Sequence, residues 1–424
     1  MPANVVLILY TTLYRLGGRE MELAAQRMAS DKAKEFPEDQ VIAKAIESKA
    51  EFLAAITEVP GPIREYHFIG HSGLYGPMYG TTSHPDQMSR AEWANLHITF
   101  AKDAKAYFHC CRSARWFAPF FARRYQVVTF GNMSYTTFSH QPDIYEEVKL
   151  GTDRSDVFVV SAPGLKGMGV AGAIRKRVGK CPTIPMARFE PGPADADESY
   201  DGVAELYDAV FEDFRVRQDE WRWVSKNLPR DSKVLDIGCG NGALLLAIAP
   251  LITEGIGVDA SQKMIEMATR RSYGERNLRF ETISGPVLPL EDASVDVVIS
   301  MLSWRYLDWD PMVAEIKRVL RPGGRVLIVD MVVSPFRWKA VGRVTVDKLR
   351  AIWQGIQHPN FKKALRRLVD DRNWAEMLRH NPMRAQHEYR NYLPSRFPGG
   401  EVETLNLSPR SEIIAFHWDV PGTG

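Results

Sequence analysis

Two aspartates flank a glycine-rich turn near the middle of the chain. The run Val-Leu-Asp-Ile-Gly-Cys-Gly-Asn-Gly at 234–242 carries a short apolar segment to Asp236 and then alternates glycines. Asp259 lies 19 residues beyond Gly240. In nucleotide-binding α/β folds an acid about 20 residues past such a turn accepts hydrogen bonds from ribose hydroxyls. Glycines let the backbone approach a ligand closely. The pattern therefore predicts a nucleotide cradle.

The neighbouring segments supply the strand and the helix that a cradle of this kind needs. Residues 234–237 are typical of a buried strand, and 243–249 of a buried helix. The third glycine comes one residue earlier than in the dinucleotide pattern G-x-G-x-x-G. An NAD or flavin site is therefore the disfavoured alternative.

Strands and helices alternate on both sides of this turn. Downstream, the pattern predicts strands at 234–237, 255–258, 278–282, 295–300, 325–329 and 413–418. Helices are expected to start near Gly242, Ser261 and Pro311, and Ser261 is a suitable N-cap. Pro-Gly-Gly at 322–324 indicates a turn between a helix and a strand. This alternation predicts an α/β fold with a mostly parallel sheet.

These motifs resemble the class I S-adenosylmethionine (SAM) dependent methyltransferases, in the ubiquinone/menaquinone-type and sterol-type branch that alkylates small molecules. The resemblance covers residues 200–335 and includes a lead-in segment at 200–208 and a loop at 288–298. It implies a Rossmann-like seven-stranded fold with a helical lid, and SAM as the methyl donor. The implied cofactor contacts are Asp236, Gly238, Cys239, Gly240, Asn241, Gly242, Asp259, Ala260, Ser284 and Met301.

The resemblance also implies roles for some of these residues. Asp236 is expected to orient the loop or to contact the amino group of SAM. Backbone N–H groups of the turn suit the carboxylate of SAM. Cys239 is expected to be an inert small residue. The branch usually has an acid near Ser284 that contacts the adenine amine, but here the run is Thr-Ile-Ser-Gly at 282–285. Ser284 or the backbone around Ile283 is expected to replace it.

Residues 300–308 follow the fourth strand, where the acceptor pocket of this branch opens. Trp304, Arg305 and Tyr306 are the catalytic candidates on this segment. Aromatic rings can flank a sulfonium, and Arg305 could hold an acidic acceptor. Packing is an equally weighted alternative for Trp304 and Tyr306. Alignment of donor and acceptor can itself supply much of the rate of an in-line methyl displacement.

A basic segment follows the fifth strand. Residues 337–367 contain nine Lys or Arg and one acid, Asp347, with tryptophan and phenylalanine interspersed. In this branch such insertions cover the active site, and a basic lid would attract an acidic or phosphorylated acceptor. A solvated basic helix face is the alternative. Basic residues between aromatics also suit single-stranded nucleic acid, but 54 basic against 52 acidic residues disfavour that reading.

The N-terminal part holds a second set of reactive side chains. His71 lies in Gly-His-Ser-Gly at 70–73, and Cys110 and Cys111 follow an apolar run. Both sets end predicted strands, so they could meet at the carboxyl edge of a parallel sheet. A thiolate beside an imidazole is an activated nucleophile. The predicted strands are 5–10, 65–70, 104–110, 126–130 and 156–160, and the predicted helices are 21–36, 41–57 and 114–124.

These two motifs, within residues 60–131, resemble the caspase-like cysteine peptidase fold. The resemblance implies that Cys111 is the nucleophile and His71 its partner. A non-catalytic relative that gates or recognises a substrate is an equal alternative. No metal site is predicted, because His71 and the His-Cys-Cys run lack a known ligand spacing and zinc is only a minor option. The glycine-rich run 163–172 is too loose for a phosphate loop.

A Pro/Gly-rich, then acidic segment at 189–198 is the predicted linker between two domains. The first is a caspase-like α/β layered domain at 1–188. The second is the methyltransferase domain at 199–424, with a lid at about 336–398. Four cysteines do not make a disulfide framework in so long a chain, so a reducing, cytoplasmic location is expected. Nothing approaches the ~18 apolar residues of a membrane span.

The preferred function is methyl transfer from SAM to a small-molecule acceptor, which is acidic if the basic segment binds it. The N-terminal domain would then assist acceptor recognition or gating. One alternative is a bifunctional enzyme in which Cys111 and His71 perform hydrolysis or acyl transfer. Another is a non-enzymatic binding module with both sites vestigial. The sequence leaves the acceptor, the methylated atom and the oligomeric state open.

Overall fold

The computed structural model describes residues 4–141, 144–145, 157–162, 174, 177–179, 181–193, 203–334, 342, 346, 359–380, 383–408 and 411–421. The chain divides into two compact units, Met1–Asp195 and Ala196–Gly424. The division falls inside the segment for which the sequence predicts a linker. The glycine-rich run at 163–172 and much of the basic segment, including Trp338 and Trp353, lie outside the described residues.

A six-stranded sheet forms the centre of the first unit. Its order is β2-β1-β3-β7-β8-β11, with β11 antiparallel to β8 and the remaining neighbours parallel. The strands are β1 Val5–Tyr10, β2 Gln40–Ala45, β3 Ile63–Ile69, β7 Phe100–His109, β8 Val128–Gly131 and β11 Ala187–Phe189. Outside this sheet lie β4 Ser72–Gly73, β5 Gly76–Gly80, β6 Pro85–Gln87, β9 Tyr135–Ser139 and β10 Phe158–Ala162.

Apolar side chains cover both faces of this sheet. Alternate residues of β1 enter two different clusters, one centred on Phe52, Phe108 and Trp93 and one that includes Met21. This is the pattern of a strand buried on both faces. The described helices of this unit are Gly18–Glu35, Lys49–Thr57, Arg90–Asn95 and Phe117–Tyr125.

The helix predicted at 41–57 is wrong in its first part. Gln40–Ala45 is strand β2, paired in parallel with β1, and the helix begins only at Lys49. The Ser48 side chain accepts the backbone N–H of Glu51 and so caps this helix. Alanine and lysine favour a helix here, but the edge of the sheet recruits Val41 and Ile42, whose β-branched side chains suit a strand.

A seven-stranded sheet forms the centre of the second unit, in the order β14-β13-β12-β15-β16-β18-β17. Neighbours from β14 to β16 run parallel, whereas β18 is antiparallel to both β16 and β17. The α/β class predicted from the sequence is confirmed. The strands are β12 Lys233–Ile237, β13 Glu254–Asp259, β14 Leu278–Thr282, β15 Val295–Met301, β16 Leu320–Val333, β17 Glu401–Leu407 and β18 Ser411–Asp419.

Helices pack on both faces of this second sheet. Two apolar clusters lie on its opposite sides, because neighbouring residues of β12 such as Val234 and Leu235 enter different ones. The described helices are Ala204–Val210, Gln218–Asn227, Ala243–Ile248, Gln262–Arg271, Trp309–Val319, Pro359–Val369, Arg372–His380 and Gln386–Arg396. Within the described residues, no helix has the length and apolar character needed to cross a membrane.

Candidate cofactor and catalytic sites

The glycine turn, residues 238–242, connects β12 to helix Ala243–Ile248. Gly238, Gly240 and Gly242 have φ values of 72°, 54° and 75°. Residues other than glycine rarely adopt this backbone conformation. A Cβ at Gly238 would lie 2.4 Å from the Cβ of Ser303, so the approach of that side chain requires glycine. A Cβ at Gly240 would meet no described atom within 4 Å. Gly240 therefore borders open space.

Asp259 ends β13 beside this turn. Its Oδ2 accepts the backbone N–H of Gly240 at 2.9 Å, and its Oδ1 accepts the backbone N–H of Ser261 at 2.9 Å. A carboxylate accepts hydrogen bonds and donates none, which is the chemistry that suits a diol. Ser261 also caps helix Gln262–Arg271 through the N–H of Met264, as the sequence predicts.

Asp236 is buried, with 1% of its surface exposed, and its Oδ1 has no hydrogen-bond partner among the described residues. Burial and the nearby charge of Asp259 raise the pKa of Asp236 from 3.8 to about 8. A buried carboxylate without a partner is costly. The arrangement suits a cation that would bind Oδ1 and restore the negative charge of Asp236.

Most backbone N–H groups of the glycine turn are used within the protein. Those of Gly238 and Cys239 donate to the carbonyl of Val258, and that of Gly242 to the carbonyl of Cys239. With the Gly240 N–H bound to Asp259, only the Asn241 N–H lacks a partner among the described residues. Of the backbone N–H groups predicted to bind the carboxylate of SAM, that of Asn241 is therefore the one still available among the described residues.

The Asn241 side chain ties the turn to a short helix in front of the sheet. Its amide donates to Asp208 Oδ1 at 2.9 Å and to the Phe211 carbonyl at 3.1 Å. Arg271 Nη1 donates to the same Asp208 oxygen at 2.9 Å. Asp208 belongs to helix Ala204–Val210, called the lead-in helix below. The described residues thus place this helix beside the glycine turn.

The other predicted cofactor residues lie around the same edge of the sheet with different exposure. Ala260 and Ser284 are exposed, Met301 is half-buried at the end of β15, and Cys239 is buried. The Ile283 N–H donates to the Asp259 carbonyl at 3.0 Å, so that backbone donor is already engaged. Burial raises the pKa of the Cys239 thiol well above its usual value, which keeps it uncharged.

The segment after β15 is more tightly packed than the sequence suggests. Trp304 is fully buried in the apolar cluster on one face of the sheet. Its indole N–H has no partner among the described residues. Tyr306 is half-buried beneath the Arg305 guanidinium, which lies 5.0 Å from the centre of its ring. Trp304 therefore has the surroundings of a packing residue.

Arg305 has an internal partner. Its Nε lies 3.5 Å from Oδ1 of Asp330, which is fully buried, and its backbone N–H donates to Asp330 Oδ2 at 2.9 Å. Asp330 Oδ2 also accepts the hydroxyl of Tyr389 at 2.6 Å. Sequence reasoning missed both Asp330 and Tyr389. This ion pair weighs against Arg305 as the residue that holds an acidic acceptor.

In the first unit, His71 and Cys111 follow neighbouring parallel strands at equivalent positions. Ile69 of β3 pairs with His109 of β7, so the residues two positions beyond each lie at the same edge of the sheet. The Ser72 hydroxyl donates to the Cys111 carbonyl at 2.5 Å. The chain thus brings the predicted imidazole and thiol to one edge.

The hydrogen bond at His71 fixes its tautomer. His71 Nε2 lies 2.9 Å from the Leu16 carbonyl, which can only accept, so Nε2 carries the hydrogen. Burial lowers the pKa of His71, so the ring is neutral and Nδ1 holds the free lone pair. Tyr14 packs edge-on to this ring at 5.8 Å.

The two cysteines differ in their surroundings. Cys110 is fully buried, and burial raises its pKa to about 12. Cys111 is half-buried, and burial also raises its pKa, whereas the Thr136 N–H at 3.4 Å from Sγ and the charge of Arg112 lower it. Cys111 is therefore the more accessible thiol, and it rests mainly in the protonated form.

A buried polar chain on the same sheet escaped sequence reasoning. Lys32 Nζ lies 2.6 Å from Glu65 Oε2, and His67 Nε2 lies 3.0 Å from the same oxygen. His67 Nδ1 in turn lies 3.2 Å from His109 Nε2. Although burial raises the pKa of Glu65, hydrogen bonds from His67 and Lys32 lower it to about 2.

Among the described residues, no cluster suited to a metal ion is found.

Comparison with known proteins identifies the second unit. Residues 235–328 match the family model described as a methyltransferase domain. The 27-O-demethylrifamycin SV methyltransferase of Amycolatopsis mediterranei is 31% identical over 191 residues, which cover 39% of this chain and 68% of that protein. An uncharacterised methyltransferase, YcgJ of Bacillus subtilis, is 38% identical over 103 residues, covering 24% of this chain and 41% of that protein.

A third relative is the malonyl-[acyl-carrier protein] O-methyltransferase of Methylococcus capsulatus, at 28% identity over 161 residues. This match covers 37% of the present chain and 52% of that protein. The chain thus spans from 41% to 68% of the length of these three relatives. The matched family region contains the glycine turn, Asp259 and the segment after β15.

Proposed function

The chain belongs to the SAM-dependent methyltransferases, and we propose that it transfers a methyl group from SAM to a small-molecule acceptor. One observation carries this proposal. Asp236 and Asp259 lie near the ends of adjacent parallel strands beside the glycine turn, where Gly240 borders open space. The buried Asp236, whose Oδ1 has no partner among the described residues, and the acceptor oxygens of Asp259 match the ammonium and the ribose of one ligand.

The residues of the glycine turn fit SAM. The orphaned Oδ1 of Asp236 suits the amino group, because a cation there would stabilise the ionised carboxylate. The carboxylate oxygens of Asp259, which only accept hydrogen bonds, suit the ribose hydroxyls. The absence of a side chain at Gly240 leaves room for close approach of the ligand. The Asn241 N–H is the turn's available donor for the carboxylate of SAM.

SAM supplies an electrophilic methyl group on a sulfonium. The residues of this chain hold and orient the partners, because alignment and exclusion of water account for much of the rate of such a displacement. Asp236 would lose its proton as the ammonium binds. Asp330 holds Arg305, and with it the Trp304–Tyr306 segment, in place. In this proposal the segment shapes the acceptor side of the site and transfers no proton.

Two of the relatives named above act on a rifamycin or a carrier-bound malonyl group, according to their names. Their names support a small organic acceptor for this chain, with methyl transfer to oxygen as the first chemistry to test. The helical segments between 336 and 398, proposed as the lid, include Pro359–Val369 and Gln386–Arg396. Tyr389 in the latter binds Asp330, which supports a role for the lid in fixing the acceptor side.

Isothermal titration with SAM and with S-adenosylhomocysteine tests this function directly. Wild-type protein should bind both in the micromolar range. The Asp236→Asn variant should lose affinity for both ligands, whereas Asp231→Asn, a substitution at an aspartate outside the glycine turn, should bind like wild type. Absence of SAM binding by wild type at high micromolar ligand would refute the proposal.

A second activity is supported by one specific arrangement in the first unit. His71 is held as a neutral ring with a free Nδ1 lone pair, at the same sheet edge as the accessible Cys111. We propose that the first unit is a caspase-like domain in which Cys111 is the nucleophile and His71 the base, for hydrolysis or acyl transfer. A domain of this kind without activity would instead assist acceptor recognition or gating.

The four cysteines are all free thiols. This supports the proposal of a reducing, cytoplasmic environment, because unpaired cysteines are typical of such compartments. The proposed partners are limited to SAM and a small-molecule acceptor.

A further inference from the structure

Helix Pro359–Val369 presents only cations among its charged residues. It contains no Asp or Glu, and its four basic side chains are all exposed to solvent. Lys363 and Arg367 are four residues apart, as are Lys362 and Arg366, so like charges neighbour each other on the helix surface. Such pairs of like charges destabilise a helix. An anion bound to this face would remove that repulsion.

The opposite face of this helix holds it in place. Phe361, Leu365 and Leu368 pack against the lead-in helix and against Trp374. The ring of Phe361 lies 6.4 Å from that of Phe211, just past the lead-in helix. The basic side chains therefore extend from a helix that is packed against the rest of the unit.

A groove of about 540 Å³ is lined by basic residues of helix Pro359–Val369, by the two aspartates that follow it and by one residue of the lead-in helix. Leu206 supplies the apolar contribution of the lead-in helix. The groove is open to solvent along its length, so it could admit an extended ligand. Its lining residues are Leu206, Lys363, Arg366, Arg367, Asp370 and Asp371.

Both acids that line the groove already have partners within the protein. Asp371 Oδ1 accepts the backbone N–H groups of Asn373 and Trp374 at 2.8 and 3.2 Å, and so caps the next helix. Asp370 Oδ2 lies 3.7 Å from Arg366 Nε. In the described part of the chain, Lys363 and Arg367 have no carboxylate within ion-pair distance. In contrast, Arg318, Arg321 and Arg325 of the same unit are each paired.

We propose that this groove binds a phosphate ester carried by the methyl acceptor, with Lys363 and Arg367 on the phosphate and Leu206 under the organic chain. This inference rests on the proposed methyl transfer. A guanidinium and an ammonium together suit a phosphate, which offers several strong acceptors. Leu206 gives an ester an advantage over inorganic phosphate, because only the ester has a chain to bury.

The position of the groove fits an acceptor. Leu206 is two residues from Asp208, whose carboxylate accepts the amide of Asn241 in the glycine turn at 2.9 Å. A phosphate ester in the groove therefore lies one short helix away from the cofactor turn. An extended acceptor can be held by its anionic end there while its reactive end reaches the methyl donor.

Isothermal titration of the full chain at low ionic strength tests this site, with phosphopantetheine as the ester and inorganic phosphate as the reference. We expect the ester to bind several-fold more tightly than phosphate. Lys363→Ala and Arg367→Ala should each weaken ester binding about three- to fivefold, the range of exposed ion pairs. The double variant should lose about tenfold, since the two effects are roughly additive. Binding should weaken at higher salt.

The matched control is the double variant Lys226→Ala/Arg230→Ala, which removes two exposed cations elsewhere in the same unit. It should bind the ester like wild type. An equal loss in this control, ester binding no tighter than that of phosphate, or no binding at all would each overturn the proposal. SAM titration of the same proteins separates the two ideas. Wild type that binds the ester but not SAM refutes methyl transfer alone, and the reverse refutes the groove alone.

Discussion

The carboxylate of Asp259 accepts the backbone N–H of Gly240 at 2.9 Å, joining the end of β13 to the middle of the glycine turn. A single side chain thus shapes the turn, and in the proposed function the same side chain contacts the ribose. Its removal should affect both the conformation of the turn and the contact with the ribose.

Asp259→Ala is therefore expected to weaken SAM binding by about 10- to 100-fold, the cost of one or two hydrogen bonds to a charged group. Asp259→Asn keeps one acceptor oxygen and should lose less. Calorimetric titration with SAM measures both. Unchanged affinity in Asp259→Ala would refute the ribose role.

Asp236 should give the ligand-free protein a characteristic pH dependence. Its pKa in the folded state is raised to about 8 from an ordinary value of 3.8 by burial and by Asp259. The folded state therefore keeps a proton that the unfolded chain has lost, so the contribution to stability is full below about pH 4 and disappears as the pH rises through 8. Urea unfolding should be measured between pH 5 and 8, roughly the window of this titration. The free energy of unfolding should fall more steeply with pH for wild type than for Asp236→Asn.

The same titration should control SAM binding. The ammonium of SAM needs the ionised form of Asp236, so affinity should increase as the pH rises towards the raised pKa of about 8. Asp236→Asn should bind weakly and show little of this dependence. A wild-type affinity that falls over this range would contradict the assignment of Asp236 to the amino group.

Alanine at two of the turn glycines should destabilise the fold to different extents and separate folding from binding. Gly238→Ala places a Cβ 2.4 Å from Ser303 Cβ and should lower the free energy of unfolding by more than about 2 kcal/mol. Gly240→Ala meets open space and should cost only about 1–2 kcal/mol of backbone strain, while reducing SAM affinity. Ser303→Gly should partly restore the stability of Gly238→Ala. Urea unfolding and SAM titration separate these effects.

Cys111 should be the thiol that an electrophile modifies in the first unit. Burial raises its pKa, so the alkylation rate by iodoacetamide should increase with pH above neutrality. Mass spectrometry should find modification at Cys111 and not at the fully buried Cys110. His71→Ala should slow the reaction at least about tenfold if Nδ1 removes the thiol proton. Equal labelling of both cysteines, or an unchanged rate in His71→Ala, would count against the dyad.

Tyr389→Phe should destabilise the second unit. It removes the 2.6 Å hydrogen bond to the fully buried Asp330, and such a loss costs about 1–3 kcal/mol. Tyr273→Phe, at a tyrosine that is 95% exposed, is the matched control and should change nothing. A double-mutant cycle with Asp330→Asn measures the coupling between the two side chains. Additive losses would show that the pair does not stabilise the acceptor side.

Local patterns allowed much of the second unit to be predicted. The strand expected at 278–282 is β14 Leu278–Thr282, and the strand expected at 295–300 is β15 Val295–Met301. The glycine turn and the acid after it could be recognised because their spacing is short and their chemistry is specific. In β2 Gln40–Ala45, pairing with β1 outweighed helix-favouring residues, and no local signal records that pairing.

Contacts that depend on the tertiary fold were not predictable. Asp330 and Tyr389 are 59 residues apart, and His67 and His109 are 42 residues apart. Each pair meets only when separate elements pack together. Arg305 illustrates the effect on a site, because its residue type suggests a ligand contact whereas the fold supplies Asp330 as its partner.

The hydrogen bond between Asn241 and Asp208 has a thermodynamic consequence, because it can couple ligand binding at the glycine turn to ligand binding in the groove. It fastens the cofactor turn to a lead-in helix of only seven residues, too short to be stable alone. If SAM binds at the turn and holds Asn241 in place, it would also stabilise the helix that contributes Leu206 to the groove. Such coupling is reciprocal, so a phosphate ester in the groove would raise the affinity for SAM by the same factor. The two ligands would then bind with positive cooperativity.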